Sequence, residues 1–367
     1  MVIGIPKEIK DHEYRVSVAP DGVRALTRGG HQVRVESSAG VGSGYSDADY
    51  ANAGATIAGS NEEVFRKSDL IVKVKEPQLS ECSLFRPGQT LFTYLHLASL
   101  PDVTKALLDA KVTAIAYETI EAKDGTLPTL TPMSEIAGRM SVQIGARYLE
   151  KTQGGKGLLL AGVPGVEPAH VVVLGAGVVG SAATRIAVGM GARVTVINLD
   201  LERLRYLDDL YQGRIVTRAS TPAAIEVSVL AADLVIGAVL VPGARAPKLV
   251  SRELVGRMKP GSVIVDVAVD QGGCFETTRP TTHTDPVYLV DGVLHYGVAN
   301  MPGIVPRTST TALTNATFPF LQRLATQGVE QAIRSDAGLA KGVNLSGGKI
   351  TCRAVADAHG LRFDPPM

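Results

Sequence analysis

The stretch from residue 170 to residue 198, HVVVLGAGVVGSAATRIAVGMGARVTVIN, constrains the fold more than any other part of the chain. An apolar run leads into three glycines with the spacing GxGxxG, namely Gly175, Gly177 and Gly180. A helix-like run of small residues follows, and the β-branched run RVTVIN closes the stretch. A strand before the glycines, with a helix and a strand after them, predicts a βαβ unit of a doubly wound sheet.

Each glycine of this pattern has a physical task. Gly175 permits the tight turn, Gly177 lets the backbone approach a pyrophosphate, and Gly180 lets the helix pack closely on the strand. The helix begins near Val178, and the N–H groups of a helix N-terminus favour an anion. A GxGxxG sequence alone can be a packing turn, but the surrounding βαβ pattern favours a dinucleotide-binding site.

The end of the second strand departs from the usual pattern. NAD-specific sites carry Asp or Glu there to bond the ribose hydroxyls, whereas this chain has Asn198 with Asp200 two residues later. Asn198 can still hydrogen-bond a ribose, and Asp200 is close enough in sequence to assist. Loss of the carboxylate also removes repulsion against a 2′-phosphate, so use of NADP stays open. Arg203 faces either this part of the cofactor or solvent. We predict NAD as the cofactor.

The rest of the chain alternates short β-branched runs with helical patterns. Strands are predicted at residues 2–5, 31–36, 70–74, 90–96 and 112–117, and again at 171–174, 194–198, 234–238 and 262–267. Such alternation indicates parallel sheets covered by helices on both faces. From about Pro306 onward the tail is predicted to be helical.

A chain of 367 residues suits two domains. It begins in one α/β unit, passes through another and returns. We therefore predict an α/β fold with two Rossmann-like doubly wound domains, in which a discontinuous substrate domain carries an inserted cofactor domain. The predicted segments are 1–133, 134–301 and a helical segment 302–367.

Composition excludes several classes of protein. The 37 Lys and Arg nearly balance the 36 Asp and Glu, so no overall field attracts nucleic acid or an acidic membrane. Three distant cysteines form neither a disulfide framework nor a zinc motif. No apolar run reaches the about 20 residues of a bilayer span. We predict a cytoplasmic protein with no nucleic-acid or membrane partner.

Further blocks carry a family resemblance. They are GIPKE at 4–8, VKEP at 74–77, TYLHL at 93–97, IVDVAVDQGGC at 264–274 and HYGVANMPG at 295–303. In this order they resemble the bacterial alanine dehydrogenases from end to end. The resemblance implies reversible NAD-dependent oxidative deamination of L-alanine to pyruvate, ammonium and NADH by a homohexamer.

Two alternatives stay open on the sequence. The soluble NAD(H)-binding subunit of a transhydrogenase shares the N-terminal pattern and the Rossmann half, but does not require His96 and Asp270 together. A nicotinamide-binding protein without activity could serve as a sensor. A pocket for pyruvate also has room for the smaller glyoxylate, so glyoxylate amination is a possible side activity. The sequence does not set the physiological direction.

The resemblance assigns four residues to the chemistry. Arg15 and Lys75 bind the substrate, because an Arg fork suits a carboxylate and a compact Lys charge polarises a carbonyl. His96 is the acid/base, since an imidazole transfers protons near neutral pH. Asp270 orients water or the amine and stabilises developing positive charge. Glu118 is expected to support Lys75 or His96.

The resemblance also assigns residues around the cofactor: Ser134, Val239, Leu240, Val267, Asp270, Val298, Asn300 and Met301, with Ser220 and Arg279 towards the adenosine end. Asp266, central in its strand, is assigned to structure. Some relatives hold a divalent cation with a Glu and a His on a C-terminal helix. Arg323 and Gln327 stand at those places here, so no metal site is predicted.

Overall fold

The computed structural model describes residues 1–239 and 246–365, so the predicted cofactor residue Leu240 lies outside the described residues. The chain divides into two compact units. Unit 1 comprises residues 1–133 and 303–367, and unit 2 comprises residues 134–302.

The elements follow in chain order. The first segment of unit 1 contains β1 (Val2–Ile5), α1 (Pro20–Arg28), β2 (Gln32–Glu36), α2 (Asp47–Asn52), β3 (Thr56–Ala58), α3 (Asn61–Arg66), β4 (Leu70–Val72), α4 (Leu79–Cys82), β5 (Thr90–Thr93), α5 (Pro101–Asp109) and β6 (Thr113–Ala116). Helix α6 (Thr131–Tyr148) then leads into unit 2.

Unit 2 continues with β7 (His170–Leu174), α7 (Val178–Gly189), β8 (Arg193–Asn198), α8 (Leu201–Tyr211), β9 (Ile215–Ala219), α9 (Pro222–Ala231), β10 (Leu234–Gly237), α10 (Arg252–Gly256), β11 (Val263–Asp266), β12 (Val287–Val290) and β13 (Val293–Tyr296). The chain returns to unit 1 through α11 (Pro306–Gln327), α12 (Val329–Ser335), α13 (Ala337–Gly342), β14 (Val343–Ser346), β15 (Lys349–Ile350) and α14 (Arg353–His359).

The two sheets repeat one strand order. In unit 1 the parallel strands lie in the order β3-β2-β1-β4-β5-β6, and in unit 2 in the order β9-β8-β7-β10-β11-β13. Both correspond to the 3-2-1-4-5-6 order of a Rossmann fold. The predicted fold class, with one domain inserted in another, is confirmed.

Apolar strands explain why both sheets are buried. β7, β10 and β11 carry the runs HVVVL, LVIG and VIVD, and every residue of these strands is buried. Strands covered by helices on both faces need such continuous apolar runs rather than alternation. In unit 1 the same holds for β4 and β5, whose residues are all buried.

The prediction of a wholly helical tail was wrong. β14 and β15 form a hairpin, and β14 pairs antiparallel with β6 at the edge of the first sheet. Gly347 and Gly348 join them with φ of 57° and 81°. A two-residue turn with both φ positive matches the twist of a hairpin and favours glycine. The Gly-Gly pair between NLS and KI was the overlooked signal.

The prediction was also wrong about where two strands end and about how many strands there are. Strands β4 and β5 end at Val72 and Thr93, before the predicted ends at Val74 and His96, so His96 lies beyond the strand that was predicted to include it. Strands β3, β9, β12 and β13 were not predicted, and β12 pairs antiparallel with β13. Among the described residues, no helix is both long and apolar enough to cross a membrane.

Candidate functional site

The proposed substrate residues of unit 1 all follow the carboxyl ends of parallel strands. Arg15 comes after β1, Lys75 after β4, His96 after β5 and Glu118 after β6. These four strands are neighbours in the order β1-β4-β5-β6. Ligands of open α/β sheets bind outside the carboxyl ends of the strands, where the strand order reverses. Strand topology therefore collects the four residues at one edge of the sheet.

Arg15 is buried and its guanidinium is held by Glu13. Nε donates to Glu13 Oε1 at 2.7 Å and Nη2 donates to Glu13 Oε2 at 2.5 Å. Nη1 lies 3.0 Å from the sulfur of Met133. A two-point pair of this kind fixes the plane of the guanidinium as well as its position. Glu13, which sequence reasoning did not single out, thus orients the cation predicted to bind a carboxylate.

Lys75 is buried, and hydrogen bonds fix its backbone on both sides. The Val74 N–H donates to Glu8 Oε1 at 2.6 Å, and Thr93 Oγ1 donates to the Lys75 carbonyl at 2.9 Å. The ammonium charge acts on the neighbouring carboxyl. Burial raises the pKa of Glu76, but the charges of Lys75 and Lys10 outweigh burial and hold that pKa below its ordinary value.

His96 has a left-handed backbone, with φ of 49° and ψ of 32°. Such a conformation is uncommon outside glycine and is often found at functional sites. Its ring stacks on Tyr94 with centroids 5.9 Å apart, and Tyr94 in turn donates its hydroxyl to the Thr129 carbonyl at 2.6 Å. Burial raises the pKa of the Tyr94 phenol, which therefore stays neutral beside the imidazole.

The carboxylate of Glu118 lies against the backbone and ring of His96. Its Oε1 accepts the His96 N–H at 2.7 Å, and both its oxygens lie 3.2 Å from the Leu95 nitrogen. The same Oε1 lies 3.9 Å from Nδ1 of His96. Of the two supporting roles expected for Glu118, these contacts favour the one towards His96.

A buried ion triad lies beside these residues. Lys73 Nζ lies 3.1 Å from Glu8 Oε2 and 2.9 Å from Glu81 Oε1, and all three side chains are buried. Burial, assisted by the charges of Glu13 and Glu81, raises the pKa of Glu8 to about 7 despite the Lys73 charge and the Val74 N–H. Sequence reasoning missed this triad, although Lys73 within the run LIVKVK was a visible signal.

The glycine loop of unit 2 has the shape of a phosphate cradle. A Cβ on Gly180 would lie 1.8 Å from the Gly175 carbonyl oxygen, so only glycine permits the approach of α7 to the loop. Gly175 has φ of 108°. A Cβ on Gly177 would meet nothing within 4 Å. Open space above the middle glycine, in front of a helix N-terminus, fits a pyrophosphate.

Two acidic residues, one that ends β11 and one in the loop after it, have different surroundings. Asp266 is buried: its Oδ1 accepts the Ala268 N–H at 3.1 Å, and its Oδ2 accepts the Cys274 N–H at 2.8 Å and the Thr278 hydroxyl. Asp270 is exposed on the short 3-10 turn between these anchors. Asp266 therefore shapes the loop, and Asp270 is the carboxylate presented to solvent.

Most other predicted cofactor residues also follow carboxyl ends of parallel strands. Val178 is the first residue of α7, after β7, and Asn198 is the last residue of β8. The others are Ser220 after β9, Val239 after β10, Val267 after β11, and Val298, Asn300 and Met301 after β13. Ser134 lies within α6, and Arg203 in the first turn of α8. Arg279 stands over the ring of Tyr288, with its Cζ 4.3 Å from the centroid.

Arg323 and Gln327, which stand where some relatives bind a divalent cation, bind other side chains in this protein. Arg323 forms an ion pair with Asp336. Gln327 accepts a hydrogen bond of 3.0 Å from the Ser335 hydroxyl. Both side chains take part in contacts between α11 and the segment that follows it.

Comparisons with known proteins cover the whole chain. The family model described as "Alanine dehydrogenase/PNT, N-terminal domain" matches residues 4–137, and the one for the C-terminal domain matches residues 141–353. An alanine dehydrogenase of Halomonas elongata is 58% identical over 363 residues, which cover 99% of this chain and 98% of that relative.

Solved structures agree with the sequence relatives. An L-alanine dehydrogenase matches with a TM-score of 0.95 at 52% identity, covering 98% of this chain and 99% of that chain. A transhydrogenase from Sinorhizobium meliloti matches with a TM-score of 0.81 at 26% identity, covering 96% and 100%. With both halves matched in order and relatives similar over nearly their full length, the chain belongs to the alanine dehydrogenase/PNT family.

Proposed function

We propose that this chain is an NAD-dependent L-alanine dehydrogenase. It converts L-alanine, water and NAD to pyruvate, ammonium, NADH and a proton, and catalyses the reverse amination. The observation that carries the proposal is the 58% identity to an alanine dehydrogenase over nearly the full chain. Arg15, Lys75 and His96, together at one sheet edge, support it.

Unit 2, residues 134–302, is proposed as the cofactor domain. Gly175, Gly177 and Gly180 would take the pyrophosphate, because the space above Gly177 is open and α7 begins at Val178. Asn198 and Ser220 would face the adenosine ribose, and Arg279 its outer end. Residues after β10, β11 and β13 would line the nicotinamide. When bound, NAD supplies the acceptor for the hydride that leaves the α-carbon.

Unit 1 is proposed to bind the substrate. Arg15 pairs with the carboxylate, and Glu13 keeps its guanidinium in one plane so that little side-chain freedom is lost on binding. Lys75 places an ammonium charge at the carbonyl oxygen of pyruvate and polarises it. Its buried setting strengthens that interaction, because a charge acts more strongly away from water.

Proton transfer is assigned to His96, and a supporting role is assigned to Asp270. His96 takes a proton from the water that adds to the imine of alanine, and returns a proton as ammonium leaves. Asp270, exposed on its 3-10 turn, orients the water or amine and balances developing positive charge. Glu118 is a positioning residue for His96.

The transhydrogenase alternative is less well supported. The structure of a transhydrogenase is only 26% identical to this chain, against 52% for an L-alanine dehydrogenase, and its TM-score is lower. Identity over the full length, including the His96 and Asp270 blocks, favours the amino-acid dehydrogenase.

The direct test is the appearance of NADH absorbance when L-alanine and NAD are added. We expect NADH to form with L-alanine but not with D-alanine. In the reverse direction, pyruvate and ammonium should reoxidise NADH. His96→Ala should abolish turnover while NADH binding, followed by nucleotide fluorescence, persists. NADH binding without alanine-dependent turnover in the wild type would reject the proposal in favour of a transhydrogenase subunit or inactive relative.

We also propose a homohexamer, on the resemblance alone, and light scattering of the purified chain tests it. A cytoplasmic location is proposed because Cys82, Cys274 and Cys352 are free thiols in the structure. Free, mostly buried thiols are typical of a reducing compartment.

A further inference from the structure

Asn198 ends β8 at the point where NAD-specific folds carry a ribose-binding carboxylate. Its amide has partners on both sides. Oδ1 accepts the Ala176 N–H of the glycine loop at 3.0 Å, and Nδ2 donates to the Asp200 carbonyl at 3.1 Å. These two bonds fix which end of the amide carries the oxygen. The side chain thus ties β8 to the glycine loop and brings no charge to the ribose position.

The next carboxylate along the chain is already engaged. Asp200 caps α8, where its Oδ1 accepts the Glu202 N–H at 2.9 Å and the Arg203 N–H at 3.4 Å. Its Oδ2 lies 3.6 Å from Nε of Arg203. The helix N-terminus and the guanidinium both compensate its negative charge. Asp200 therefore cannot fully replace the carboxylate that Asn198 lacks.

The surrounding charge is positive. The start of α8, next to the end of β8, carries Asp200, Glu202, Arg203 and Arg205, and Arg218 of β9 is in register with Ile197. These three cations and two anions leave a balance of +1 on the segments that flank the end of β8. Arg203 is more than half exposed, and its pair with Asp200 is a surface ion pair. Such pairs contribute little to stability, so Arg203 can turn towards a new anion.

We propose that Asn198 and Arg203 let this chain bind a phosphorylated dinucleotide, NADPH, with an affinity close to that for NADH. The proposal rests on the proposed function, since it places the adenosine ribose at the end of β8. A 2′-phosphate there meets no carboxylate from β8 and gains an Arg able to form a charge-assisted hydrogen bond. A NAD-specific site carries a carboxylate at this place, and that carboxylate would repel the phosphate.

The test is fluorescence titration of NADH and of NADPH, using the emission of the reduced nicotinamide itself because the chain has no Trp. We expect the Kd for NADPH to lie within about tenfold of that for NADH. Asn198→Asp should raise the ratio of the Kd for NADPH to the Kd for NADH by about tenfold or more, because only NADPH carries the repelled phosphate. Arg203→Ala should also raise this ratio, because it removes the cation proposed to bind the 2′-phosphate.

Arg214→Ala is the matched control, since it removes the same charge just before β9, at the amino end of that strand, and should alter neither Kd. A larger gap between the wild-type affinities, or equal weakening of both nucleotides by Asn198→Asp, overturns the inference. In those cases NADH binding and alanine turnover remain, and the proposed function stands. Failure of the wild type to bind either nucleotide would overturn both.

Discussion

The Glu118 carboxylate, just after β6, accepts a hydrogen bond of 2.7 Å from the backbone N–H of His96, just after the neighbouring strand β5. It also receives the N–H of Leu95. β5 ends at Thr93, so the N–H groups of Leu95 and His96 lie beyond the hydrogen bonds that β5 makes with its neighbouring strands. A side chain from beyond β6 therefore supports the left-handed turn on which the imidazole stands.

We predict that Glu118→Gln lowers kcat by about tenfold or more, because one of its two acceptor oxygens becomes an NH2 group that faces a donor N–H. The Kd for NADH should not change, because Glu118 belongs to unit 1. Steady-state kinetics and nucleotide fluorescence measure the two effects. Glu121→Gln, which removes an exposed ion pair with Lys341, is the control. Wild-type kcat in Glu118→Gln would remove the positioning role.

Gly177→Ala tests the cradle without disturbing the fold. Gly177 has φ of −72°, and an added Cβ would meet nothing within 4 Å, so the variant should unfold at the wild-type temperature. The methyl group would stand where the pyrophosphate approaches, and we expect NADH affinity to fall by about tenfold or more.

Gly189→Ala, at the other end of α7, likewise meets nothing within 4 Å and should bind NADH normally. The comparison separates loss of ligand space from loss of helix stability. Equal NADH affinity in the two variants would argue against a phosphate above Gly177.

Glu8 should give the stability of the protein a pH dependence. Its pKa rises from 4.5 to about 7 because of burial. The folded chain therefore binds this proton more tightly than the unfolded chain. The stabilisation that the bound proton of Glu8 gives the folded chain is fully present below the ordinary pKa of 4.5. It is lost as the pH rises through about 7.

Glu8→Gln keeps an acceptor oxygen for the Val74 N–H and does not titrate. We expect the melting temperature of the variant to rise relative to wild type between about pH 5 and about pH 8. The exposed Glu62→Gln, which pairs with Arg66 on α3, should follow the wild-type profile. Parallel profiles for wild type and Glu8→Gln would mean that Glu8 does not titrate in this range.

Asp266→Asn should loosen the loop that carries Asp270. An amide nitrogen cannot accept the Cys274 N–H and the Thr278 hydroxyl, so at least one buried donor loses its partner, at a cost of about 1–3 kcal/mol. Chemical denaturation measures this loss, and kcat should fall with it. Asp285→Asn, at an exposed position in the same unit, should leave both unchanged. Unaltered stability in Asp266→Asn would contradict the anchoring role.

Sequence patterns predicted the architecture well because they depend on local physics. The apolar runs and the glycine spacing determine β7, α7 and β8, and those elements are confirmed within a residue or two. The C-terminal hairpin was missed because β15 has two residues, too few for a period of two to show. The pairing of β14 with β6 also joins distant parts of the chain.

The residues expected at the candidate site came from family motifs, but their partners did not. Nothing in the sequence states that Glu13 pairs with Arg15, or that Glu8 and Glu81 pair with Lys73. The Glu8–Lys73 pair depends on β1 and β4 being neighbours, whereas Glu13 and Arg15 are two residues apart and Lys73 and Glu81 eight residues apart along the chain.

The repeated strand order carries a consequence for binding stoichiometry. In unit 2 the segment after the first strand is glycine-rich, and its backbone is open to a phosphate. The same place in unit 1 holds Pro6, Lys7 and Glu8, and Glu8 is paired with Lys73 from the end of the neighbouring strand. Unit 1 thus has side chains where unit 2 has glycines, and the close backbone approach of a pyrophosphate needs glycine. Of two similar folds in one chain, one should bind a dinucleotide, so calorimetry should count one NADH per chain.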